Sequence, residues 1–209
     1  MIIAAYAGVG KTTFCNKYKH AIDFLVMPFK YENYNEIQKE HSDESIKVAD
    51  DLKLRFGWRY IYYDALLKIV RKYPDEIIVI PTDIDIMKWL NDDNIPFTMV
   101  YPDIHLKQEY ERRFIERGNN EDFLTVFVDG LEDWVNEFDK IECLNKIKFE
   151  SPEQYLSHVI KVAEPNDNYI EDKSKYIYDL LETILSNLDA YDWILYYWDS
   201  WKGVIKCTT

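Results

Sequence analysis

The chain has 209 residues, 47% hydrophobic and 16% aromatic, and its 38 acidic and 25 basic side chains give a formal net charge of −13. That is the composition of one globular domain large enough to fold on its apolar core, and its acidity argues against nucleic acid as a partner, because the surface repels phosphate backbones. Cys15, Cys143 and Cys207 are odd in number and scattered with no CxxC pair, which argues against a disulfide framework and a zinc site and fits a reducing cytoplasm.

Met1 to Ala5 is a short apolar run, too short for a signal-peptide core, and it reads as a first strand. Ala5-Tyr6-Ala7-Gly8-Val9-Gly10-Lys11-Thr12 follows it and opens a helix from about Lys11 to His20, the strand-turn-helix context of a phosphate-binding loop. Gly8 and Gly10 permit positive φ, so that the backbone N–H groups around Val9 can converge on phosphate oxygens. Lys11 would reach the β and γ phosphates, the Thr12 hydroxyl would ligate Mg2+, and Thr13 would add a hydroxyl beside the α phosphate. The expected cofactor is Mg2+ with ATP.

Further apolar runs at Ala21 to Met27, Ile77 to Ile80, Pro96 to Tyr101 and Ile141 to Phe149 lack alternation, as strands buried on both faces of a parallel sheet do. Strands alternating with helices predict an α/β fold. Asp23 interrupts the second run, where a carboxylate must be paired, functional or at a water-facing edge. Between Tyr31 and Tyr73 lies a long crossover, with the polar stretch EIQKEHSDESIKVADD followed by the helical WRYIYYDALLKIVRKYP. Arg55, Trp58, Arg59 and Tyr60 in it suit docking of a phosphate acceptor, although a Trp on an amphipathic helix is more often core than a base platform. Asp83 follows the third run with Pro81 and Thr82 between, at a strand's carboxyl end, where it is either a site acid or a helix N-cap.

After the fourth run a helix is predicted from Ile104 to Arg117, stopped by Gly118 and Asn119. A second carries Leu124, Phe127, Val128, Leu131, Trp134, Val135 and Phe138 on one apolar face. Ser151, Pro152 and Gln154 read as the start of a helix running to about Val162. The breaker cluster EPNDN at Glu164 to Asn168 sets the division into a main domain, 1–163, and a helical extension, 164–209, packed on it. The extension ends in Tyr191, Trp193, Tyr196, Tyr197, Trp198 and Trp201, which suit a packed helix pair or, alternatively, an oligomer or partner surface. Asp192 and Asp199 interrupt it, and no apolar stretch approaches the roughly 18 residues of a membrane span. A cytoplasmic protein without membrane contact is expected.

The chain lacks the DxxG and NKxD strings of GTPases. The spacing Gly8-x-Gly10-Lys11-Thr12 resembles the GxxGxGK[ST] loop of nucleoside and nucleotide kinases, with Ala5 in place of the first glycine. Together with TMVYP, WRYIYY and the series Lys107, Glu109, Tyr110, Arg113, Phe114, Arg117, Gly118, Asn119, it resembles a family of small P-loop nucleotide-kinase-like proteins of phages and bacteria, over Met1 to about Val162. The resemblance implies a three-layer P-loop NTPase fold with a five-stranded, mainly parallel sheet and additional C-terminal helices. It implies a phosphotransferase acting on a nucleoside or nucleotide, with Arg113 and Arg117 stabilising the phosphoryl group in flight and Lys107 and Arg112 as lesser candidates. Asp23 or Asp83 would align the nucleophile or the waters of the metal. The bland alternative for the arginines is ion pairing of Glu109 with Arg113 and of Glu116 with Arg112. Leu25, Val26 and Met27 stand where related kinases continue with acidic and hydroxyl residues, which motivates the alternative of a nucleotide-binding interaction protein with little catalysis.

Overall fold

The computed structural model describes residues 1–34, 36, 52–162 and 173–186. The apolar runs form strands β1 (Ile2–Ala5), β2 (Ala21–Asp23), β3 (Ile77–Pro81) and β4 (Phe97–Pro102), while the fifth run yields β5 (Asn145–Phe149) only in its second half, an edge strand that alternates Lys with Ile and Phe and buries Phe149 alone. They make one sheet in the order β2-β3-β1-β4-β5, parallel at every pairing. Ala5 at the end of β1 stands opposite Pro81 on one side and Val100 on the other. All four residues of β1 are buried, which is why this strand reads as an unbroken apolar run. Successive strands lie on opposite sides of β1, so its carboxyl end is the point where the topology switches, and crevices for ligands open there in α/β sheets.

The second run ends earlier than expected. β2 stops at Asp23 on the sheet's edge, Leu25 turns to solvent, and Met27–Lys30 form the short helix α2 with Pro28 in its first turn. The remaining helices are α1 (Lys11–Lys17), α3 (Trp58–Lys72), α4 (Ile84–Asp92), α5 (Lys107–Glu116), α6 (Glu121–Leu124), α7 (Leu131–Lys140), α8 (Leu156–Val159) and α9 (Lys173–Leu185). α3 buries Trp58, Ile61, Tyr62, Ala65, Leu66 and Ile69, a stripe of helical period. α5 ends as expected at Gly118, φ +72°, where the Gly118 and Asn119 amides return to the Ile115 and Phe114 carbonyls in a Schellman pattern.

Two predicted helices differ from expectation. The apolar face from Leu124 to Phe138 is split by a π-helical turn, Thr125–Asp129. A side chain at Gly130 would sit 2.8 Å from the Val126 carbonyl. That carbonyl instead accepts from Trp134 Nε1, and the Phe127 carbonyl accepts from the Tyr6 hydroxyl, so tertiary donors replace helical ones. The segment after β5 does not start a helix at Ser151 but forms a turn, and only Leu156–Val159 is helical. Gln154 does reach back, accepting from the Glu150 and Ser151 amides, yet Tyr155 is extended and the Leu156 amide is taken by the Val9 carbonyl.

Within the extension, α9 buries Ile177, Leu181 and Ile184, sets the Tyr176 ring 5.2 Å from Tyr73, and anchors through Lys173 on the Tyr18 and Ala21 carbonyls. The aromatic series from Tyr191 to Trp201, and all of EIQKEHSDESIKVADD except Glu36, lie outside the described residues. Among the described residues no helix is long and apolar enough to cross a membrane.

Candidate phosphate-binding site

The turn leaving β1 has Gly8 at φ +78° and Gly10 at φ +90°, a conformation costly to any residue with a side chain. Space is short as well. A Cβ at Gly8 would lie 2.9 Å from the Phe114 ring and 3.1 Å from that of Tyr110, and one at Gly10 would lie 3.2 Å from Tyr155. Helix α1 begins at once, with the Phe14 amide bonded to the Gly10 carbonyl. Lys11 Nζ curls back over the turn and donates to the Ala5 and Tyr6 carbonyls, each at 3.0 Å. Val9 is fully buried, whereas Thr12 and Thr13 face solvent at the mouth of the turn.

The carboxylates separate by role. The Thr12 hydroxyl donates to Asp23 Oδ2 at 2.9 Å, so the end of β2 meets the first turn of α1. Asp83 caps α4, accepting from the Asp85 and Ile86 amides, and takes Arg59 Nε at 2.9 and 3.1 Å on its two oxygens. Asp85 stands 3.4 Å from the same nitrogen. Tyr62 is buried near β2. Burial, and after it the charges of Asp23 and Asp83, push its phenol well above the ordinary value, which fixes it as a donor to the Phe24 carbonyl at 2.7 Å. Thr12 and Asp23 together offer hard oxygen ligands of the kind Mg2+ takes, directly or through its waters, so the residues present fit that ion.

On the crossover side, Arg55 donates to the Phe29 and Tyr31 carbonyls and holds the chain, and Trp58 is buried. Arg59 lies 4.6 Å over the Trp58 ring at the Asp83 rim, and Tyr60 stacks on Trp89 at 4.8 Å.

Arg113 and Arg117 do not act as a pair. Arg117 caps the helix at its exposed end. Arg113 is buried, with Nε on Glu109 at 2.8 Å, Nη1 on the Gly8 carbonyl at 3.2 Å and Nη2 on the Pro152 carbonyl. Arg112 pairs with Glu109 and Glu116 in solvent, and Lys107 stands 3.7 Å from Asp129. The sequence reading missed the part played by Tyr155 and Leu156, because that segment has the pattern of a helix start.

No protein-family model matches the chain, and no curated protein matches it. Among solved structures, the tunicamycin resistance protein of Deinococcus radiodurans is similar at 14% identity and a TM-score of 0.41, over 88% of this chain and 94% of that one.

Proposed function

We propose that the protein is a phosphotransferase that binds Mg-ATP at Gly8 to Thr13 and moves the γ-phosphoryl group to a small acceptor, a nucleoside or nucleotide. The observation that carries this reading is the contact of Thr12 with Asp23 at the mouth of a left-handed glycine turn covered by the Lys11 ammonium. Lys11 exchanges its two carbonyl partners for phosphate oxygens and balances the charge that develops on transfer. Thr12 would hold Mg2+, whose chemistry is to spread charge across the β and γ phosphates. Asp23, bonded to Thr12, would align the acceptor hydroxyl and take its proton or hold the waters of the metal. Asp83 would serve the site through Arg59, with which it pairs, and Arg117, exposed at the end of α5, would approach the phosphoryl group.

The test is ADP release from Mg-ATP across a panel of nucleosides, nucleoside monophosphates and small phosphate acceptors, wild type beside Lys11→Ala. Acceptor-dependent release in wild type that vanishes in a folded variant is expected. Equal turnover in the variant overturns the proposal, and ATP binding without any acceptor-stimulated release favours the nucleotide-binding interaction protein.

A further inference from the structure

We infer that Arg113 is a positioning residue that aims the amide groups of the phosphate loop, and that it does not meet the phosphoryl group itself. The inference rests on the phosphate-loop reading above.

Arg113 is 8% exposed. Its guanidinium joins three pieces of chain: Glu109 on its own helix, the Gly8 carbonyl in the loop, and the Pro152 carbonyl after β5. Two aromatic rings enclose it, Tyr110 at 5.0 Å and Tyr155 at 4.7 Å. A guanidinium is planar and donates in fixed directions, so with these acceptors it has little freedom to turn toward a substrate.

What the contact does to the loop follows from the peptide bond. In a planar trans peptide the carbonyl and the following N–H point in opposite directions. Holding the Gly8 carbonyl on Arg113 therefore turns the Val9 N–H away from α5. The next peptide is fixed in the same way, because the Val9 carbonyl accepts from the Leu156 amide at 2.9 Å and the Gly10 N–H is turned opposite to it. Two successive loop amides are thus oriented by contacts from outside the loop. Glycine at position 8 has no preference between the two faces of φ, and the direction of its peptide must be set by a partner. N–H groups aimed in this way can bind phosphate oxygens, and a flipped peptide would present a carbonyl to the anion instead.

Inorganic tripolyphosphate with Mg2+ is the probe, since it engages the loop and no base pocket. Binding is measured on the full chain for wild type, Arg113→Met and Arg113→Lys, beside kcat and KM for ATP in the acceptor-stimulated reaction. Loss of the aimed amides weakens ground state and transition state alike, so tripolyphosphate affinity and the KM for ATP should each worsen about 10-fold or more in Arg113→Met, with kcat/KM falling in proportion through KM. Arg113→Lys, which keeps a charge and a donor, should recover part of the affinity. A group that touches the phosphoryl in flight would behave otherwise, with kcat down by roughly 10³ or more and tripolyphosphate binding intact. That pattern, or unchanged affinity in Arg113→Met, overturns the inference alone. Wild type that binds no tripolyphosphate overturns the phosphate-loop reading, and this inference with it. Should Arg113→Met not fold, the same split is read on Arg113→Lys, where unchanged affinity is the overturning result.

Discussion

Asp23→Asn leaves an oxygen that can still accept from Thr12, and it removes the negative charge from the end of β2. If Asp23 takes the proton of the acceptor, the variant should keep its melting temperature while transfer falls by about 10²–10⁴. Turnover and a thermal melt on the same preparation check this, and full activity in the variant would remove Asp23 from the chemistry. Gly8 bears on the site through the side chain it lacks. Gly8→Ala sets a methyl group 2.9 Å from Phe114 at φ +78°, and the two penalties together should cost about 2–4 kcal/mol. Gly8→Ala combined with Phe114→Leu relieves the clash and leaves the φ penalty. The second substitution should therefore cost less in the Gly8→Ala background than in wild type when both are measured by chemical denaturation, and strict additivity would show that the ring gives way without strain.

At the scale of elements, the segment after β5 is held over the loop at several points, one of them titratable. His105 Nδ1 faces Asp103 Oδ1 at 2.6 Å and Nε2 faces the Glu150 carbonyl at 2.9 Å. A ring between two acceptors donates to both only as the imidazolium. The hydrogen bond to Asp103, then that to Glu150, raises the His105 pKa above its ordinary 6.5, and the His105 amide holds the Asp103 carboxyl below its ordinary 3.8. The raised His105 stabilises fully below pH 6.5 and ceases to as pH climbs through its raised value, whereas the depressed Asp103 stabilises above 3.8 and ceases to as pH falls through its lowered value. The melting-temperature difference between wild type and His105→Gln should therefore be largest between these limits and shrink above them. A difference flat from pH 5 to pH 9 would show that the ring does not clasp the segment. The contrast with the strands explains what could be read without a structure. The buried runs of β1, β3 and β4 and a Gly-Lys-Thr turn declare themselves by composition alone, whereas β5, NKIKF at the sheet's edge, buries only Phe149 and is not the doubly buried strand that its apolar neighbours suggest. The pair Glu109 and Arg113 has the i, i+4 spacing of any surface ion pair, and nothing local says that Gly8, 105 residues away, comes to lie on it. Ser151 to Gln154 likewise carries a sound helix-start pattern, which the Val9 carbonyl and Arg113 outcompete through contacts made only in the folded chain.

For the whole molecule the question is whether the extension belongs to the core, and α9 answers in energetic terms. Ile177, Leu181 and Ile184 are buried, and burial of such a side chain contributes about 1.5–3 kcal/mol. Three of them approach 5–9 kcal/mol as an upper bound, against roughly 5–15 kcal/mol for an entire domain. Lys173 adds its bonds to the Tyr18 and Ala21 carbonyls beside β2, the strand that ends in Asp23. Lys173 is half-buried, and that burial lowers its pKa from the ordinary 10.5. Residues 1–163 alone should therefore be unfolded, or melt at least about 10 °C below the full chain, since 1 kcal/mol moves a chain of this size by about 2–4 °C. A chain ending at Ser186 keeps α9 and is the control that separates its contribution from that of the residues beyond it. Circular dichroism melts of the two truncations decide it: a stable, cooperatively folding 1–163 would make the extension a separate appendage and leave its aromatic end as a surface for a partner, while loss of stability only in that shorter chain makes α9 part of the frame that holds Asp23 against Thr12.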